Sequence, residues 1–239
     1  MAGPMVGTSP YATFEARAAV YLLFARLFRE PPSQTLLQAI VRERLLTLAE
    51  LCGKSTNRIE PSLDPAEDCG WLDRVQAIAV EYTRLFAAPG AHAVQPYESV
   101  YCDTVSVDTS TACSAYFTTP AGPCQLTGLL HGPSAVAVRE AYRRGGFELD
   151  PSSHELPDHL GIQLEFMGQL LKRGAGEQAA VFFQAHLGRW VFRCLEDIRQ
   201  SPPAAFYHAV VDSATTFLQH EQQVLCSVGA TTRQATCSE

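Results

Sequence analysis

No apolar run in this sequence approaches the roughly 20 residues that a helix needs to cross a bilayer. The most apolar early stretch, Ala18 to Phe28, is broken by Arg26 and followed by Arg29-Glu30. No basic cluster opens the chain at Met1-Ala2-Gly3-Pro4, so a secretory signal is not expected, and a cytoplasmic protein without stable membrane insertion is. Charge is also scarce: 18% of the 239 residues carry it, with a net charge of −7 and a pI near 5.5. A nucleic-acid binder needs a basic stripe to displace counterions, and that class is excluded here. A basic partner, such as an arginine-bearing peptide, fits the negative balance.

Several chemical signatures are missing as well. There is no G-x-x-x-x-G-K and no G-x-G-x-x-G, so a nucleotide site has no support. G-x-S-x-G and H-E-x-x-H are absent too, along with any Cys–His nucleophile context. The eight cysteines, at 52, 69, 102, 113, 124, 194, 226 and 237, include no C-x-x-C pair, and free thiols are expected. Cys102, Cys113 and Cys124 are evenly spaced but lack the close pairing and fourth ligand of a zinc site.

What the chain does have is helical periodicity. With 46% hydrophobic residues and a mean hydropathy of −0.02, it can bury one sizeable core. Val20, Leu23, Phe24, Leu27 and Phe28 share one face of a helix that Pro31-Pro32 ends, and Ser33 is placed to cap the next. That second helix carries Leu36 to Leu48 and closes near Gly53, before a polar linker over 54–68. A third helix is predicted from Trp71 to Phe86. Residues 88–132 read as irregular, with one short helix over Glu98 to Thr104 and no sheet. Helicity returns from Pro133 to Arg144 and again from Pro157, taken as a first helical residue, to Gly174. One helix then spans Phe182 to Ile198 and another starts near Phe206. The expected architecture is all-α: a single-domain multi-helix bundle over 10–226, a flexible N-terminus at 1–9 and a frayed tail at 227–239.

Three segments carry candidate chemistry. Glu81 to Phe86 leads into Pro96-Tyr97-Glu98-Ser99-Val100-Tyr101, aromatics and a carboxylate suited to a groove that stacks and pairs with a cation, or, as buried aromatics more often are, to a core with a solvated Glu98. In Glu155-Leu156-Pro157-Asp158-His159, carboxylates stand at a helix start. Asp158 beside His159 admits a general acid/base pair, a metal site, a polar recognition point or a cap with an incidental histidine. A metal-dependent or acid/base hydrolase using Asp158, His159 and a cysteine such as Cys102 is the alternative that chemistry leaves, although His154 and His159 alone are too few for a metal site. The late aromatics His186, Trp190, Phe206, Tyr207 and His208 read as core.

Taken in order, Glu81 to Phe86, Pro96 to Tyr101, Tyr142-x-x-x-Gly146-Phe147, Pro157-Asp158-His159-Leu160, Leu164 to Met167 and His186-Leu187-x-x-Trp190 make the chain resemble the TorD/DmsD family, related to NarJ, from about Tyr11 to Glu221. That family's motif is Glu-Pro-x-Asp-His; here the proline stands one place later. The resemblance implies a non-catalytic cytoplasmic chaperone, without a cofactor of its own, acting as a monomer or homodimer. Its partner would be the catalytic subunit of a molybdopterin oxidoreductase, held with its twin-arginine leader until the cofactor is inserted. It also implies that Tyr97, Glu98, Ser99, Tyr101, Glu155, Pro157, Asp158 and His159 line the leader site, with Glu98, Asp158 and Glu155 attracting its arginines.

Overall fold

A computed structural model describes residues 13–42, 70–90, 93–108, 123–150, 152, 155–202 and 204–235. Helix α1 (Phe14–Arg29) starts under the Thr13 hydroxyl, which accepts from the Ala16 N–H at 3.4 Å. Ser33 caps α2 (Gln34–Arg42) as its position predicts, accepting from the Leu36 N–H at 3.2 Å. Leu45, Leu48 and the linker over 54–68 lie outside the described residues. Helix α3 (Trp71–Tyr82) does not continue regularly to Phe86. Its last turn, Thr83–Ala87, widens to a π-helix, with the Ala88 N–H donating to Thr83 O at 2.7 Å.

The middle of the chain corrects two expectations. The short helix α4 (Glu98–Cys102) stops two residues early, and the chain beyond it enters a two-stranded sheet. Strands β1 (Thr104–Asp108) and β2 (Pro123–Thr127) pair antiparallel with Thr104 opposite Thr127. The alternation Val105-Ser106-Val107 is the period-two signal of that pairing, too brief to stand out by itself. Asp103, between helix and strand, then caps α5 (Pro133–Arg144): its carboxylate accepts from the Ser134 N–H at 2.9 Å and the Ser134 hydroxyl at 2.5 Å.

Helix α6 (Leu160–Lys172) begins later than proline placement suggests. Pro157 and Asp158 form the preceding turn, and His159 is the N-cap. The predicted single helix from Phe182 to Ile198 is broken as well. Helix α7 (Gly176–Ala185) ends at His186, whose φ of −127° and ψ of −89° leave the helical region; a 3₁₀ turn (Leu187–Arg189) then leads into α8 (Val191–Gln200). Helix α9 (Ala205–Ala235) runs past residue 226, so the tail expected to fray is helical to 235. Among the described residues the fold is all-α apart from the β1–β2 pair.

Helices α1 and α6 form the most extensive helix pair. The reason is glycine on the α6 side. A Cβ at Gly161 would stand 2.9 Å from the Ala25 carbonyl and 2.3 Å from the Arg29 Cγ, and one at Gly168 would stand 2.8 Å from Leu22 Cγ. Around this seam lie Tyr21, Phe24, Phe28, Phe183, Trp190 and Tyr207, all fully buried. Gly161→Ala is therefore expected to destabilise the fold by about 1–3 kcal/mol through overpacking, even though alanine is the better helix former. Urea denaturation checks this, and a neutral or stabilising result would mean the seam is slack.

Candidate functional site

Segments 96–99 and 155–160 meet as a short piece of β-like pairing. The Glu98 N–H donates to Asp158 O at 3.1 Å, the Leu160 N–H donates to Pro96 O at 2.8 Å, and Tyr97 bridges His159. Side chains then lock the junction. Asp158, fully buried, accepts through Oδ2 from the Ser99 N–H at 2.9 Å and so caps α4. His159 accepts through Nδ1 from the Gly161 N–H at 3.1 Å and caps α6. The Tyr142 hydroxyl donates to Pro157 O at 2.8 Å, tying the turn to α5.

Beneath this pairing lies a polar relay. Gln163 donates through Nε2 to Glu98 Oε2 at 2.8 Å, and accepts through Oε1 from Trp190 Nε1 at 3.4 Å. His186 Nδ1 stands 3.2 Å from the other Glu98 oxygen. The helix break at His186 serves this geometry, since the histidine and Trp190 both turn towards Glu98 and Gln163. Glu98 is thus a buried, fully engaged carboxylate, 1% exposed, and not the solvated residue of the core reading.

The rim is different. Tyr97 is half-buried, its ring edge-on to His159 at 5.1 Å, and its hydroxyl donates to Glu155 Oε1 at 2.7 Å. Burial and then this hydrogen bond to Glu155 push the Tyr97 phenol well above its ordinary pKa. Tyr82 lies close by, its hydroxyl donating to Arg29 O at 2.7 Å; burial, and next the charge of Glu155, push its pKa up to about 12. Burial holds the His159 imidazole down to about 4, so at neutral pH it is an uncharged acceptor for a backbone N–H. With Asp158 and His159 each engaged by a different helix, the pair is not arranged as an acid/base couple. Among the described residues no group of three metal-binding side chains comes together.

Of the residues singled out in the sequence, Tyr97, Glu98, Ser99, Glu155, Pro157, Asp158 and His159 converge. Tyr101 does not join them directly. Its hydroxyl donates to Asp197 on α8 at 2.8 Å and its ring stacks on Trp190 at 5.5 Å. Gln163 and Arg29 are not among the residues the sequence singles out for the site, Tyr142 stands out only within the resemblance, and His186 and Trp190 read as core. One signal was available for Gln163: it is a polar residue four places after His159, inside the apolar run Leu160 to Met167.

A family model described as nitrate reductase delta subunit matches residues 36–196, most of the chain and both paired segments, 96–99 and 155–160. The chain belongs to this family. Its TorD/DmsD-type members are maturation chaperones for molybdenum-containing redox enzymes and not catalysts, so the hydrolase reading of Asp158 and His159 falls. Two relatives are each named chaperone protein TorD. The one from Vibrio parahaemolyticus is 22% identical, covering 88% of this chain and 95% of its own; the one from Vibrio cholerae is 27% identical, covering 88% and 92%. A solved structure, a putative redox enzyme maturation protein from Archaeoglobus fulgidus, aligns over 90% of this chain and 95% of its own at 18% identity and a TM-score of 0.47. Among the described residues of this maturation chaperone, no helix is long and apolar enough to cross a membrane.

Proposed function

We propose that this chaperone works in the cytoplasm, binding the twin-arginine leader and the unmatured catalytic subunit of a molybdopterin oxidoreductase and releasing them after cofactor insertion. The observation that carries this reading is the pairing of segments 96–99 and 155–160, which fixes Tyr97, Glu155 and Pro157 as a half-exposed rim above a buried polar relay. The eight residues named for the leader site divide by burial. Tyr97, Glu155 and Pro157 meet the peptide, with Tyr101 extending the contact towards α8. Glu98, Ser99, Asp158 and His159 hold the rim in shape from below. Glu155 is the rim carboxylate whose charge draws an arginine-bearing leader towards the pairing.

Calorimetric titration with the twin-arginine leader of any molybdopterin oxidoreductase encoded beside this gene tests the division. Asp158→Asn keeps an oxygen for the Ser99 N–H and is expected to bind near the wild-type affinity. Asp158→Ala uncaps α4, costs about 1–2 kcal/mol of stability and weakens binding about tenfold. Loss of binding in a well-folded Asp158→Asn would show that the buried charge itself meets the peptide. Wild-type protein that binds no such leader would sink the function.

A further inference from the structure

Beside the rim, a cavity of about 560 Å³ opens between the end of α1, residues 147–150 and α6. Two side chains link it to the rim. Tyr142, which holds the Pro157 carbonyl, lines it, and the stem of Arg29 crosses it over Gly161, next to the His159 cap. Two arginines of the chain itself lie in it. Arg29 Nη1 donates to Glu165 Oε2 at 2.5 Å, and the Arg173 guanidinium lies 3.7 Å above the centre of the Phe147 ring. Phe147 packs edge-on, at 5.2 Å, against Phe166, and the Glu165 carboxylate and Phe147 line the same cavity. Glu148 and Asp150 complete the charged lining: three carboxylates against two guanidiniums.

A carboxylate and an aromatic face are the two surfaces that hold guanidinium groups most specifically. The first of the two internal contacts is not needed for the core. The Arg29–Glu165 pair is exposed by 39% and 42%, and half-exposed pairs add little to stability. Resting on the leader-binding reading above, we infer that this cavity receives the leader's arginine pair, and that Arg29 and Arg173 occupy it in the free protein as built-in competitors. An incoming guanidinium takes Glu165 while Arg29 swings to solvent; a second takes the Phe147 face from Arg173. The occupancy lowers affinity for lone arginines, so capture depends on a segment that brings two together with contacts at the rim.

The test is titration of a synthetic leader with two adjacent arginines, and of the same peptide with both replaced by neutral citrulline. Against the arginine peptide, Arg29→Gln is expected to bind about five- to tenfold more tightly, the factor expected if Arg29 blocks Glu165 about 80–90% of the time. Arg173→Gln should act in the same direction. Glu165→Gln should weaken binding and cancel the gain in the Arg29→Gln/Glu165→Gln double variant, and citrulline should remove the gain as well. Thermal melts confirm that each variant is folded. If the wild type binds but folded Arg29→Gln binds equally or less well, the competitor role is overturned and leader binding at the rim stands. If the wild type and all variants ignore the arginine peptide, both readings fall together.

Discussion

Replacing Glu221 by alanine is expected to cost about 3–5 kcal/mol, the usual penalty for breaking a buried ion pair from one side. Glu221 lies on α9, fully buried, and takes both guanidinium bonds of Arg17 on α1, at 2.7 and 2.8 Å. Tyr21 is packed into the same corner, where burial first, and then the Glu221 charge, raise its phenol well above the ordinary pKa. Alanine would leave the Arg17 guanidinium, 6% exposed, without a counter-charge in the low-dielectric interior. Replacing both partners by apolar residues, Arg17→Met with Glu221→Leu, should recover most of the loss, since it removes the charges and keeps the volume. Urea denaturation of the three proteins measures this. A Glu221→Ala cost below about 1 kcal/mol would mean that water reaches the pair.

A second large effect comes from His159. Its folded pKa is about 4, against about 6.5 in an unfolded chain. Burial is the main cause; the Glu155 charge opposes it, Arg29 reinforces it and Asp158 opposes it. Because the folded value is depressed, the unfolded chain takes up the proton first as pH falls. The stability contributed by a neutral His159 is complete above about pH 6.5, declines between 6.5 and 4, and is gone below about 4. The gap corresponds to about 3 kcal/mol. His159→Asn keeps an oxygen to accept from Gly161 and removes the titration. Its stability should therefore fall less steeply than the wild type's across that window. Parallel slopes in denaturation at pH 7, 5.5 and 4.5 would show that the imidazole is not held neutral.

The long amphipathic helices were legible because their signal is local. Val20, Phe24, Leu27 and Phe28 recur at helical spacing and do lie buried on α1, and Gly145-Gly146 does end α5. The site was legible only as residue types. Glu98 and Asp158 look like surface carboxylates in sequence, since acids are rarely buried without partners. Their partners, Gln163 and His186 for one and the Ser99 N–H for the other, come from 59 to 88 positions away in the chain. No window of a dozen residues contains that information. The break at His186 was hidden for a related reason. Phe182 to Ile198 keeps apolar spacing through the kink, because both halves face the same core. Pro157 misled by being a good first helical residue in general, while its carbonyl is held here by Tyr142 in a turn.

The order in which these contacts become available has a consequence for how the protein is made. Apart from the Tyr82 bond to Arg29, 53 residues on, the ties of α1 span 136 residues to Glu165, 180 to Tyr207 and 204 to Glu221. At a synthesis rate of about 5–20 residues per second, α1 waits roughly 7–30 s before α6 has even been made. Through that interval its aromatic face has no seam to enter. Long-range closure of this kind also slows folding once the chain is complete. A protein whose family shelters unfinished enzymes is itself a late finisher, aggregation-prone until its last third arrives.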